Sequence, residues 1–200
     1  MQRFIFILCI LFLPLIGLCL EEKESLGNRK VTFRLPINWA TAPQYTLNVV
    51  IPEGYVPLQA FDTWENVSLV EFVPKGQTGD NWSEIISVNK FINQKVDAIN
   101  FVQQLKYEML KKVDAGSHTL QEETKTFDQY HFAKIILSYK LQGEREIMGA
   151  IYLSGPYDCV GVQYTIRPND QQSEQEALSK IEKFFENSVN IQAVETNKKS

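Results

Sequence analysis

A chain of 200 residues has the length of a single globular domain, and its hydrophobic content of 44% supplies enough apolar side chains for one core. A domain of this size needs no disulfide to hold it together. The net charge of −4 and the absence of a long Lys/Arg run exclude a nonspecific nucleic-acid binder, because such proteins gain affinity by neutralising phosphates with basic groups.

The first residues have the layout of a secretory signal peptide. Arg3 supplies a positive charge, residues 4–15 form an apolar run, and a polar stretch follows. Signal peptidase requires small residues at positions −3 and −1, and Gly17 and Cys19 provide them if the cut precedes Leu20. We therefore expect an extracytoplasmic protein, periplasmic or secreted, and the short leader resembles those of bacteria.

Two alternatives remain open for this leader. Cys19 also stands where a lipobox cysteine would stand, which would make the chain a membrane-tethered lipoprotein, although Leu18 occupies a position where that enzyme prefers a small residue. The apolar run could instead remain as an anchor, but it is shorter than the ~17–20 residues that a span needs. Cleavage fits these residues best.

Cysteine usage agrees with export. Cys9 and Cys19 lie in the leader, so the mature chain keeps only Cys159 and forms no internal disulfide. We predict that Cys159 is a buried thiol, and an intermolecular disulfide is the alternative.

Four segments are predicted along the chain. They are a signal peptide at residues 1–19, an N-terminal arm at 20–42, a single α+β domain at 43–190 and a disordered tail at 191–200. The arm is expected to add a short strand near residues 31–35.

The stretch from residue 130 to residue 167 predicts a β-meander. Its strands are expected at residues 130–141, 145–154 and 158–167, and each has one strongly apolar face. The turns between them contain Gly143 and Gly155, and such short turns make neighbouring strands antiparallel.

Four further strands are predicted from β-rich, alternating segments: residues 45–51, 66–73, 82–88 and 120–128. Glu71 interrupts an otherwise apolar face of the second. The last carries Glu122, Glu123 and Lys125, a composition typical of a protected sheet edge.

Two amphipathic helices complete the pattern. The first spans residues 98–113 with Asp97 as N-cap, and the second spans residues 174–187 with a capping box formed by Ser173 and Glu176. Strands and helices do not alternate one by one. We therefore predict an α+β fold with a single antiparallel sheet of about six to seven strands and two main helices packed on it.

The order of these elements resembles the PsbP-like superfamily, which includes a photosystem extrinsic subunit and a Ran-binding nuclear import factor. The opening strand ends in Pro-Glu-Gly-Tyr at residues 52–55, and the closing helix carries a Phe-Phe pair at residues 184–185. The resemblance covers about residues 42–190. It implies an α/β/α sandwich and a family of small extracytoplasmic adaptors that have no common catalytic centre.

The sequence offers one catalytic hypothesis. It has no nucleophile elbow, phosphate-binding loop, dinucleotide fingerprint or Cys/His metal spacing, so we predict no cofactor and no metal site. A thiol-dependent hydrolase would use Cys159 with His131 or His118 as its base. No basic neighbour in the sequence lowers the pKa of the thiol, and both histidines fit structural roles.

The loop before Trp82 is the most binding-like segment, because long loops at strand ends often carry function. Trp64 and Trp82 are candidate contact residues. Asp80 and Asn81 are candidate binding residues, and with Glu84 they offer three oxygen ligands for a cation.

These observations favour an exported, non-enzymatic protein that binds another macromolecule through loops or a sheet edge. The partner is expected to be a protein and not a nucleic acid, and membrane contact is expected only if Cys19 is lipidated. The hydrolase and an envelope lipoprotein adaptor are the alternatives.

Export with cleavage predicts a mature protein that begins at Leu20. The intact mass of the exported chain, together with N-terminal sequencing, measures this directly. A lipid-modified Cys19 at the N-terminus would establish the lipoprotein alternative, and retention of residues 1–19 would establish the anchor.

Overall fold

The computed structural model describes residues 30–34, 44–58, 62–64, 67–91, 96–112, 116–141, 143–156, 158–169 and 173–194. The predicted signal peptide, Cys19 and the last six residues of the predicted tail lie outside these ranges. Neither of the two helices within them has the length and apolarity that a membrane crossing requires.

Within these ranges the chain forms eleven strands and two helices. In chain order they are β1 (Lys30–Arg34), β2 (Gln44–Val50), β3 (Tyr55–Pro57), β4 (Asp62–Trp64), β5 (Val67–Pro74), β6 (Glu84–Phe91), α1 (Ala98–Lys112), β7 (His118–Phe127), β8 (Tyr130–Leu141), β9 (Glu144–Ser154), β10 (Cys159–Ile166), α2 (Glu174–Ser188) and β11 (Val189–Val194).

The main sheet is antiparallel and follows the order β3-β5-β6-β10-β9-β8-β7, with β4 also paired to β5. The predicted meander is confirmed as β8, β9 and β10, because each of these strands pairs with the next along the chain. The sheet has eight strands instead of six or seven because two three-residue strands, β3 and β4, line its edge beside β5.

The two helices cover opposite faces of the main sheet, which confirms the predicted α+β sandwich. On one face, which we call the α1 face, Val102 and Leu105 pack among Ile135 and other side chains of β8 and β9. On the α2 face, Ile181 and Phe185 pack among the alternate side chains of the same strands. Strand side chains point to the two faces in turn, so each strand residue belongs to one face or the other.

Both helices begin as predicted. Asp97 Oδ1 accepts a hydrogen bond from the backbone N–H of Asn100 at 2.8 Å. At α2, Ser173 Oγ accepts from the backbone N–H of Glu176 at 3.1 Å, and the Glu176 carboxylate accepts in return from the N–H of Ser173 at 2.7 Å. These bonds satisfy N–H groups that have no partner within the helix.

A second sheet of three strands, in the order β1-β2-β11, was not predicted. It packs on the α2 side, where Leu47 and Val49 of β2 are fully buried. The strand predicted within the arm is confirmed as β1, which pairs with β2.

The prediction of a disordered tail from residue 191 is wrong for residues 191–194. These residues belong to β11, which pairs antiparallel with β2 and begins directly after α2. Val189 and Ile191 alternate with polar residues and pack against the core of the α2 side, so burial holds the segment in place.

Two glycines allow close approach to the sheet from its two faces. A Cβ atom on Gly149 would collide with Ile181 and would lie 2.7 Å from Phe185 Cε2, so glycine lets α2 approach the sheet. A Cβ on Gly161 would lie 2.9 Å from Tyr152 Cζ, since the Tyr152 ring lies across that glycine on the α1 face.

Gly149→Ala is expected to lower the free energy of unfolding by ~1–3 kcal/mol, because overpacking forces α2 away from β9. Urea unfolding of the mature protein measures the change. Gly79→Ala is the matched control, since a Cβ there would meet nothing within 4 Å. Equal stability of the Gly149 variant and the wild type would contradict close packing of α2 on Gly149.

Candidate functional site

Helix α1 covers only part of the α1 face. It packs on β8 and β9, whereas Glu71 of β5, Ser87 of β6 and Gln163 of β10 stand side by side on the same face and are half-buried. β6 and β10 are inner strands of the sheet, with a neighbour on each side. Solvent therefore reaches the middle of the sheet at a row of polar side chains.

We call Glu71, Ser87, Asn89, Tyr152 and Gln163 the polar floor. Ser87 Oγ donates a hydrogen bond to Glu71 Oε1 at 3.0 Å. The Tyr152 hydroxyl accepts from Gln163 Nε2 at 2.5 Å and is 3.4 Å from Asn89 Nδ2. These bonds join β5 to β6, and they join β6 and β10 to β9. The sheet therefore fixes the positions of the side chains in the polar floor.

Asn89 holds an unsatisfied acceptor within the floor. The residue is 7% exposed, and none of the described residues donates a hydrogen bond to its Oδ1. A buried polar atom without a partner costs about 1–3 kcal/mol. Such an atom in a native protein requires an explanation, and its enclosure places it beneath the solvent-reached side chains of Ser87 and Gln163.

Trp82 lies beside Arg167, the last α1-face position after β10. Trp82 is 6% exposed and packs with Val73 and Ile85, so it belongs to the core and offers little contact area to a partner. The guanidinium of Arg167 lies 3.7 Å from the centre of the Trp82 ring. This cation–π contact holds the loop before β6 against the sheet.

Arg167 also neutralises a buried carboxylate. Its Nη2 lies 2.8 Å from Oε1 of Glu146, and the Tyr139 hydroxyl donates to Glu146 Oε2 at 2.7 Å. Burial, followed by the Glu146 charge, raises the pKa of Tyr139 well above its ordinary value, so the hydroxyl stays a donor.

Two other predicted binding residues, Asp80 and Asn81, lie in the loop before β6. Asp80 and Asn81 are exposed in the loop, where Asn81 Oδ1 accepts from the backbone N–H of Thr78 at 2.7 Å and so orders the turn. Trp64 ends β4, and its side chain lies outside the described part of the structure. Among the described residues, no three His, Cys, Asp or Glu side chains form a group that could hold a metal ion.

Glu84 belongs to a separate cluster on the α2 face. The hydroxyls of Tyr55 and Tyr164 both donate to its Oε2 and lie 3.0 Å from each other, while Lys180 of α2 pairs with Oε1. The cluster therefore ties β3, β6 and β10 to α2, and it leaves Glu84 with no role beside Asp80 and Asn81.

Charge and burial act in opposite directions at this cluster. Burial alone would raise the pKa of Glu84, but the hydrogen bonds from Lys180, Tyr164 and Tyr55 outweigh it and lower that pKa. Burial, followed by the hydrogen bond to Glu84, raises the pKa of both tyrosines. The carboxylate is thus charged at neutral pH and both tyrosines remain donors.

The residues of the hydrolase hypothesis are not assembled for catalysis. Cys159 is completely buried, and burial, followed by the charges of Asp97 and Asp158, raises the pKa of its thiol. His131 shares the α1 face but lies two strands away, across Ser154, and its Nδ1 pairs with Asp97. A neutral, enclosed thiol is a poor nucleophile.

His118 is on the other face. It pairs in register with Ser138 at the start of β7, and its Nε2 lies 3.4 Å from Glu174 Oε1 of α2. Its Nδ1 lies 3.0 Å from the carbonyl oxygen of Gly116. His118 thus contacts the first turn of α2 and cannot serve Cys159.

The sequence reasoning missed the polar floor. Glu71 was recognised as an interruption of an apolar face, but Ser87 and Gln163 lie within predicted strands and belong to no motif. The available signal was a polar residue in the interior of each of three strands. Only the register between β5, β6 and β10 shows that these residues are neighbours.

Comparison with known proteins identifies similar folds but no sequence relative. No family model matches the chain, and no curated protein matches its sequence. LpqN of Mycobacterium tuberculosis, which is involved in cell envelope biogenesis, is 12% identical with a TM-score of 0.45, covering 80% of this chain and 91% of that chain. Cyanobacterial PsbP (CyanoP) of Synechocystis sp. PCC 6803 is 9% identical with a TM-score of 0.47, covering 86% and 99%.

The second of these structures is a PsbP, the family that the order of the elements resembles. At such identities the likeness concerns the fold alone.

The lowered pKa of Glu84 predicts a pH dependence of stability. A carboxylate whose folded-state pKa lies below the unfolded value of about 4.3 stabilises the fold above that value, and this stabilisation is lost as the pH falls through the folded-state pKa. We expect the stability of the wild type to fall more steeply below about pH 5 than that of Glu84→Gln.

Urea unfolding at a series of pH values measures this difference. Lys180→Met removes the main group that lowers the pKa, so the pH-dependent part of the stability should shrink while Glu84 remains. Parallel pH profiles for the wild type and Glu84→Gln would show that this cluster does not stabilise the charged carboxylate.

Proposed function

We propose that the chain is an extracytoplasmic binding protein without a catalytic centre, and that it holds a partner protein at the polar floor. The observation that carries the proposal is the solvent access of Ser87 and Gln163 on two inner strands. The signal-peptide layout supports the location, and a periplasmic or secreted bacterial protein is the finer form of the proposal.

The chemistry of the floor suits binding. It offers the Glu71 carboxylate, the Ser87 hydroxyl and the Gln163 amide, each fixed to the sheet by a hydrogen bond within the floor. Groups held in this way orient a bound polar surface at little entropic cost. The enclosed thiol of Cys159 and the paired histidines support a function without covalent chemistry.

The dimensions suit a short segment of a protein. Neighbouring strands lie about 4.8 Å apart, so the row of Glu71, Ser87 and Gln163 spans about 10 Å across three strands. An extended segment of a few residues matches this length. An envelope lipoprotein adaptor attached through Cys19 would use the same floor and differ only in its anchoring.

Photo-crosslinking from the floor tests the proposal. A diazirine-bearing residue replaces Ser87 in the mature protein, and the same residue replaces the exposed Glu186 of α2 in the control. In the native secretion medium or periplasm we expect a protein adduct from position 87 and none from position 186. Adding Gln163→Leu, which removes an amide from the floor, should reduce the adduct severalfold.

Two results would contradict the proposal. One is the absence of a protein adduct at position 87, and the other is an adduct of the same mass and yield from position 186. Circular dichroism of each variant confirms that the fold is retained.

A further inference from the structure

Strand β7 forms one end of the main sheet, and among the described strands it pairs only with β8. It is ten residues long, and residues 122–126 are exposed. The register with β8 shifts between Thr119 and Gln121 and is continuous from Gln121 to Phe127. The regular part of β7 therefore presents an unbroken row of backbone groups at the sheet edge.

The hairpin turn determines which backbone groups face outward. Phe127 pairs with Tyr130 across a two-residue turn in which Asp128 has a positive φ of 53°. Residues that flank such a turn exchange hydrogen bonds with each other. Every second residue back along β7, namely Lys125 and Glu123, then also directs its backbone groups to β8.

The intervening residues therefore point their N–H and C=O groups away from the sheet. These residues are Glu122, Thr124 and Thr126. An antiparallel copy of the same strand can bond to them only in a register that brings outward residues opposite one another. A two-fold axis at Thr124 meets this condition, because it places Thr124 opposite its own copy and Glu122 opposite Thr126.

In that register the charges are complementary. Glu123 comes opposite Lys125 of the second copy, and by symmetry Lys125 comes opposite Glu123. Opposite charges across an antiparallel pair stabilise it by about 0.2–1 kcal/mol per pair. Within one chain, Lys125 Nζ already lies 2.5 Å from Glu123 Oε1. The Lys125 side chain is 65% exposed and the Glu123 side chain 44%, so both are accessible to a second copy.

The neighbouring registers are less favourable. An axis at Glu122, Glu123 or Lys125 places that residue directly opposite its own copy, and like charges in that position destabilise the pair. An axis at Thr126 brings Thr124 opposite Asp128, which already lies in the turn. Charged residues on an edge strand usually prevent pairing. On β7, however, Glu123 and Lys125 have opposite charges, so they attract each other in the register about Thr124 and disfavour the other registers.

We propose that β7 pairs with β7 of a second copy of this chain, in antiparallel register about a two-fold axis at Thr124, to form a symmetric dimer with a continuous sheet. The axis is perpendicular to the sheet, so the α1 faces of both copies lie on the same side. The inference is independent of the proposed function, and it would place two polar floors on one surface.

Analytical ultracentrifugation of the mature protein over a range of concentrations tests the dimer. We expect a reversible monomer–dimer equilibrium. Glu123→Lys alone and Lys125→Glu alone place like charges opposite each other and should weaken dimerisation at least tenfold. The double variant Glu123→Lys/Lys125→Glu restores opposite charges and should recover the wild-type equilibrium.

Two further variants separate backbone pairing from charge. Thr124→Pro removes an N–H that points away from β8, so the fold should persist while the dimer is lost. Glu186→Lys changes the net charge by the same amount as Glu123→Lys on the exposed surface of α2 and should leave the dimer intact. Circular dichroism verifies the fold of each variant.

The proposal is overturned if the wild type stays monomeric at the highest concentration, or if the single charge variants dimerise like the wild type. Failure of the double variant to recover dimerisation would exclude this register. The crosslinking experiment at Ser87 probes the polar floor on β6, whereas the dimer involves the edge strand β7. Failure of one proposal therefore does not imply failure of the other.

Discussion

Strands β9 and β10 are buried almost completely on both faces, and the remaining architecture depends on this double burial. Antiparallel sheets commonly face water on one side, which leaves half of their side chains free to be polar. Here a slip of one residue would exchange the two faces, moving Gly149 away from α2 and Gly161 away from Tyr152. The two glycines therefore make the register specific as well as making room.

Two carboxylates, one on each face of the sheet, are stabilised by the same kinds of partner. On the α2 face, Glu84 contacts Lys180 and two tyrosine hydroxyls. On the α1 face, Glu146 contacts Arg167 and one tyrosine hydroxyl. For the more buried pair, Glu146 and Arg167, removing one partner typically costs about 3–5 kcal/mol, because the remaining charge is left uncompensated. Both clusters serve the fold, whereas the polar floor places half-buried polar side chains on inner strands that solvent reaches.

Local periodicity made much of the fold predictable. The meander and both helices follow from apolar spacing, turns and caps that lie within a few residues of one another. The second sheet was not predictable in this way, because it joins Val49 both to Val31 and to Val189. The polar floor has the same origin, since only long-range register places Gln163 beside Ser87. For Cys159 and His131, strand position alone was enough to favour structural roles.

The position of β11 has a consequence for the order in which the protein folds. Strand β2 lies between β1 and β11, so it completes its pairing only when residues 189–194 arrive. A chain that emerges N-terminus first from a ribosome thus leaves Leu47 and Val49 without their final cover until residues 189–194 have emerged. Closure of such distant contacts slows folding. A delay of this kind postpones formation of the α2-side core until β11 has paired with β2.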